Sequence, residues 1–237
     1  MDNKLHLTQH ISKKFNQELE DVRNQVLKMG GLVEQQVSDG LTALLEANSE
    51  LGKQVVERDT DVNKMELDID EKCTEILARR QPAASDLRLM VSIIKTITDL
   101  ERIGDEAEKL GRNAQNLSHK AGANHHFLEL RNLGEIVKKM LNRSLNAYAR
   151  MDVDEAISII KSDVLVNQEF DTVSRLLIMK MMEDPREIKN TLYVSWCARA
   201  LERIGDHSQN ICEYIVYLVK GKDVRHLSLD DIKKQIQ

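Results

Sequence analysis

Two pairs of carboxylates stand out by type and spacing. Glu101 and Asp105 lie four residues apart, and Glu202 and Asp206 repeat the pair within the same five-residue word, Glu-Arg-Ile-Gly-Asp, 101 residues further on. In a helix, side chains four apart share one face, one turn from each other. Each pair therefore sets two acids side by side. Like charges so placed repel, and the glycine before each Asp (Gly104, Gly205) costs about 1 kcal/mol relative to alanine in a helix interior. A cation held between the acids is one compensation, and the glycines would let a neighbouring chain or ligand come close.

A hard cation wants more oxygens than one pair supplies. Upstream, Asp59 and Asn63 are four apart, and Asp163 and Asn167 repeat that spacing 104 residues on; Glu66 and Asp70 extend the first set. In an antiparallel bundle these would face the Glu/Asp pairs across a groove. The candidate ions are Mg²⁺, Mn²⁺, iron or Zn²⁺. The oxygen-rich set favours the first three over a thiolate zinc site or Cu(I). The competing reading is that Glu101-Arg102 and Glu202-Arg203 are ion pairs on solvated faces. No His has a Glu three residues before it, which counts against a di-iron oxidase. His207 follows Asp206 where Glu106 follows Asp105, and reads as a surface residue. Trp196 reads as core or groove packing. No Gly-rich phosphate loop, GxSxG or HExxH is present. No catalytic set and no organic cofactor are expected.

The elements that would position these acids are helices. Leu51, Val55, Val62, Met65, Ile69, Cys73 and Ile76 recur at steps of three and four, as do Leu89, Ile93, Leu100, Ile103, Ala107 and Leu110, and then Val194, Cys197, Leu201, Ile204 and Ile211. The breaks predict six helices. The first runs from about Ser12 to Ala47, with Gly30-Gly31 as a soft point. Asn48-Ser49 caps the second, Gln81-Pro82 ends it, and Ser85 caps the third. The fourth runs from about Phe127 to Arg150. Asp152 with Glu155 makes a capping box for the fifth. Asp184-Pro185 precedes the sixth, which ends near Lys220-Gly221, and a polar tail follows.

The repeat extends across the chain. Both prolines correspond (Pro82, Pro185), and Val33, Leu41 and Ala43 recur as Val137, Leu145 and Ala147. The expected architecture is all-α: two tandem, similar antiparallel three-helix bundles, elongated, spanning residues 1–121 and 122–237. A long coiled coil is the rival, and the prolines and the repeat speak against it.

Composition narrows the function. Apolar residues make up 41% of the 237, but aromatics only 3%, which suits helix-on-helix cores better than sheets. A formal charge of −5 argues against nucleic acid held by a broad basic surface; Lys13-Lys14, Arg79-Arg80 and Lys233-Lys234 are isolated doublets. The opening residues read as polar rather than as a leader. The longest strongly apolar run, Tyr214 to Val219, is far short of the ~20 residues that span a bilayer, so any membrane contact would come through partners. Cys73, Cys197 and Cys212 read as reduced core thiols of a cytoplasmic protein.

These residues are similar to those of the PhoU family of bacterial phosphate-uptake and signalling proteins. The resemblance rests on Arg80-Gln81-Pro82, Asp86-Leu87-Arg88, Asp99-Leu100-Glu101-Arg102-Ile103-Gly104-Asp105, Leu201-Glu202-Arg203-Ile204-Gly205-Asp206-His207, Asn210-Ile211 and Gly221. It covers nearly the whole chain. It implies two similar three-helix bundles and a cytoplasmic protein, usually a homodimer, without enzymatic activity. It also implies repression of phosphate-regulon signalling when phosphate is plentiful, by linking the phosphate ABC transporter, through its ATPase component, to the sensor histidine kinase. Some members bind metal through paired Glu/Asp-x-x-x-Asp motifs, which Glu101/Asp105 and Glu202/Asp206 match. Asn63 and Asn167 depart from the partner motif, where a second Asp is common.

Overall fold

The computed structural model describes residues 13–118 and 130–225, with 227 and 231 beyond them. Six long α-helices carry the described residues, and no strand occurs among them. Helix α1 spans Lys13–Leu45, α2 Ser49–Arg80, α3 Ala84–Ser118, α4 Leu130–Arg150, α5 Val153–Glu183 and α6 Ile188–Lys220. A helix of 33 residues such as α1 is about 50 Å long, so each bundle is a rod.

Short polar side chains and strained turn residues set the helix boundaries. Asn48 caps α2 by accepting the Leu51 N–H at 3.0 Å. Its repeat counterpart Asp152 caps α5 by accepting the Glu155 N–H at 3.0 Å. The residues before these caps, Ala47 and Met151, both sit in the left-handed region, at φ 50° and 53°. The duplication thus extends to the turn geometry. The box expected at Asp152 is only half made: the Glu155 carboxylate accepts from Arg143 Nε at 2.8 Å instead. Ser85 is not the cap of α3, which already begins at Ala84 and carries Asp86 in its first turn. Pro185 opens a 3₁₀ turn over Pro185–Glu187 that leads into α6, and Gly221 closes α6 at φ 71°.

Helices α1–α3 pack as one antiparallel bundle and α4–α6 as the other, joined along α3/α6 and α1/α4. The expected division at residues 121/122 lies outside the described residues. Gly30-Gly31 does not interrupt α1. Gly30 forms a socket: a Cβ there would come within 2.8 Å of Leu145 Cδ2 on α4, and one at Gly134 would come within 2.6 Å of Leu41 on α1. Gly134 is the repeat counterpart of Gly30, and Leu145 that of Leu41, so the two bundles seat into each other reciprocally.

The cores merge into one apolar cluster that includes Ile69, Leu100, Ile103, Leu201, Ile204 and Ile211. All three cysteines are buried within it; burial pushes the Cys73 thiol up to about 12 and raises Cys197 and Cys212 as well. The tail is not wholly polar in its contacts, since Val224 is buried in the same cluster. Among the described residues, no helix is long and apolar enough to cross a membrane.

Candidate functional site: two acidic grooves

Each bundle carries an acidic groove between its second and third helices. In the first, Gly104 of α3 fits against α2: a Cβ there would lie 3.2 Å from Val62 Cγ1, 3.3 Å from Asp59 Oδ1 and 3.4 Å from Gln36 Oε1. The glycine that weakens the helix thus lets Asp59 approach beside the Glu101/Asp105 pair. Asp59 is 7% exposed. Its carboxylate accepts from Gln36 Nε2 at 3.3 Å and from Asn63 Nδ2 at 3.0 Å. Loss of hydration raises its pKa; Glu108 and Asp105 push the same way, and the two amides oppose.

The acids on α3 respond to the same field. Glu101 is raised, first by burial and then by Asp105, with Glu66 and Asp59 adding. Glu66 is raised by burial, then by Asp70. Arg102 reaches both members of the pair, at 3.5 Å from Glu101 and 3.5 Å from Asp105. The competing ion-pair reading therefore holds on the outer side of the groove.

The second groove repeats the plan with fewer acids, since Phe170, Ser174 and Gln209 stand where the first has Glu66, Asp70 and Glu108, and with Met140 in place of Gln36. A Cβ on Gly205 would lie 3.0 Å from Val166 Cγ1, the counterpart of the Gly104–Val62 contact. Asn167 Nδ2 donates to Asp163 Oδ2 at 2.7 Å. Asp163 Oδ1, however, is buried without a hydrogen-bond partner, because Met140 stands where the first copy has Gln36. Burial raises the Asp163 pKa, and Glu202 adds to the shift. The Asp206 carboxyl is pushed up to about 6, by lost hydration first and then by Glu202 and Asp163. Glu202 accepts from Arg199 at 2.8 Å.

All eight candidate residues thus line two grooves: Glu101, Asp105, Asp59 and Asn63 in one, Glu202, Asp206, Asp163 and Asn167 in the other. Among the described residues, no three His, Cys, Asp or Glu side chains are gathered tightly enough to hold a metal ion as they stand. The donor chemistry still fits a hard cation. Every available atom is oxygen, and Gln36 Oε1, Asn63 Oδ1 and Asp163 Oδ1 are buried acceptors without partners.

Two residues depart from their expected places. His207 is not a free surface residue: its Nδ1 lies 2.6 Å from Asp99 Oδ1 on α3, and Asn210 donates to the same oxygen at 3.0 Å. The signal was its break from the repeat, where Glu106 stands in the first copy. Glu106 itself crosses the seam the other way, accepting from Arg203 at 3.2 Å. Trp196 is not core packing; it stands 56% exposed.

The sequence model of the PhoU domain matches residues 26–114 and 130–215, one copy per bundle. The chain belongs to the PhoU family. A Pseudomonas aeruginosa "Phosphate-specific transport system accessory protein PhoU homolog" is 52% identical over 237 residues, covering 100% of this chain and 98% of the relative. The Escherichia coli K12 "Phosphate-specific transport system accessory protein PhoU" is 50% identical over 232 residues, covering 97% and 95%. A crystal structure of PhoU from P. aeruginosa superimposes with a TM-score of 0.85 at 52% identity, covering 88% of this chain and 100% of that one. A phosphate transport system regulatory protein PhoU from Streptococcus pneumoniae gives 0.81 at 30% identity, covering 89% and 99%. PhoU crystal structures thus share the six-helix, two-repeat fold.

Proposed function

We propose that this chain is a non-enzymatic accessory protein of phosphate-specific transport that represses phosphate-regulon signalling when phosphate is plentiful. In this reading it works in the cytoplasm as a homodimer. It links the ATPase component of a phosphate ABC transporter to the sensor histidine kinase, favouring the kinase state that accompanies a replete transporter by binding that state more tightly. The observation that supports it is 52% identity along the whole chain to a protein named as a phosphate-specific transport system accessory protein. Two rigid rods fused along a seam suit a part that holds partners in register. The test is gene deletion: alkaline phosphatase should rise in phosphate-rich medium and fall again on complementation. An unchanged level would overturn the reading.

A second reading, favoured by the buried acceptors without partners, is that the grooves bind a hard divalent cation. Glu202, Asp206 and Asp163 would hold it in one groove, and Glu101, Asp105 and Asp59 in the other, with Asn63 and Asn167 as neutral oxygen donors. The ion would supply positive charge that relieves the repulsion among the acids, as bracing or as part of a docking face. Metal analysis and metal-dependent melting of gently purified protein test it; no bound ion and no shift would remove it.

A further inference from the structure

The two repeats share a scaffold but not an outer surface. Where α5 meets α6, Ile178 (56% exposed), Met179 (55%) and Met182 (79%) on one helix flank Ile188 (41%), Leu192 (39%) and Trp196 (56%) on the other. The α6 residues are four apart and form one stripe on the side away from the core. In the first repeat, Thr74 and Glu75 take the places of Ile178 and Met179, and Lys95 takes that of Trp196. Lys95 is spread over the rings of Tyr214 and Tyr217, at 5.5 and 5.6 Å. Trp196 forms a T-shaped pair with the Tyr193 ring, centroids 5.1 Å apart, and is still 56% exposed. Ile188 and Leu192 have apolar counterparts in Leu87 and Val91, but at 178, 179 and 196 the same architecture tolerates polar residues, so folding does not explain Ile178, Met179 and Trp196. Contiguous apolar patches beyond a few hundred Å² mark interaction surfaces.

We propose that this α5–α6 face is the surface through which two copies of the chain pair. Six side chains at these exposures present roughly 600 Å² of apolar surface, against about 800 Å² that each partner contributes to an ordinary interface, about two-thirds of it apolar in homodimers. A two-fold contact needs a surface that does not repel itself. Here Arg186 is already neutralised by Asp184 at 2.9 Å, and Arg199 by Glu202 at 2.8 Å. The same balance, with a chain charge of −5, gives an anionic membrane no electrostatic hold. The inference rests on the homodimer part of the proposed function, and not on the kinase or the transporter.

The experiment is sedimentation of the full chain over a concentration series, for the wild type, for Met182→Glu with Trp196→Glu, and for Thr74→Glu on the corresponding face of the first repeat. The wild type should be dimeric. The double variant should self-associate about thirtyfold more weakly or worse while keeping its helical circular dichroism, because both side chains are exposed. Thr74→Glu should pair like the wild type. A monomeric wild type would overturn both the homodimer and its face. A dimeric wild type whose double variant still pairs, or whose Thr74→Glu variant dissociates, would overturn the face alone.

Discussion

His207 Nδ1 rests 2.6 Å from Asp99 Oδ1, across the seam between the two bundles. The carboxylate lies at the hub of a small polar knot, since Asn210 donates to the same oxygen at 3.0 Å and Tyr214 also bonds to it. Asp99→Ala removes the shared acceptor and leaves several half-buried donors unmatched. The expected loss is about 2 kcal/mol of unfolding free energy, read from urea denaturation. A loss under about 0.5 kcal/mol would show that water replaces the carboxylate at no cost.

The grooves make stability depend on pH in an unusual direction. Asp206 has a pKa of about 6 in the fold against 3.8 for the free group. Between those values the folded chain holds more protons than the unfolded one, so stability falls as pH rises through the window and is regained on acidification. Asp163, Asp59 and Glu101 shift the same way. With divalent ions chelated, Asp206→Asn should melt higher than the wild type at neutral pH and show a flatter gain on going to about pH 5. A variant whose melting curve tracks the wild type at both pH values would refute the raised pKa.

The two grooves should not bind a cation equally. Asp59 has both oxygens engaged by amides, whereas Asp163 Oδ1 is buried and unmatched. Mg²⁺ or Mn²⁺ should enter the second groove first. Asp206→Ala should abolish the tighter phase of a calorimetric titration, and Asp105→Ala should spare it. Met140→Gln, which offers Asp163 the amide that Asp59 enjoys, should weaken that phase several-fold with the helices intact. Two equal phases in the wild type would contradict this.

Gly104 is held by its neighbours rather than by its backbone. Alanine would gain about 1 kcal/mol in helix propensity. Its methyl, however, would press on Val62 Cγ1 at 3.2 Å and Asp59 Oδ1 at 3.3 Å, and such overpacking costs about 1–3 kcal/mol. Gly104→Ala should therefore lower stability by about 1 kcal/mol net, while Gly31→Ala, which meets nothing within 4 Å, should raise it. Thermal or urea unfolding of both variants decides the matter.

The sequence revealed what is periodic or punctuated. Asn48, Asp152, Gln81 and Gly221 end or begin helices as their chemistry predicts, and the doubled Glu-Arg-Ile-Gly-Asp word located both grooves. Contacts at long range were not legible. Nothing local assigns Gln36 to Asp59, because α1 must first dock on α2. The role of Gly30 depends on Leu145 of another bundle, and His207 finds Asp99 only once α3 lies against α6. Trp196 departs from its expected place for a related reason: helical spacing cannot say which neighbour covers a stripe, and among the described residues the Tyr193 ring beside it leaves Trp196 56% exposed.

The reciprocal sockets have a mechanical corollary. Leu145 sits in the hollow left by Gly30 and Leu41 in the hollow left by Gly134, so neither half can tilt without unseating both pegs together. Close-packed joints of this kind have discrete resting positions rather than a sliding scale. A pull applied to one rod by a bound partner is therefore either transmitted whole to the other rod or answered by a jump to a new notch.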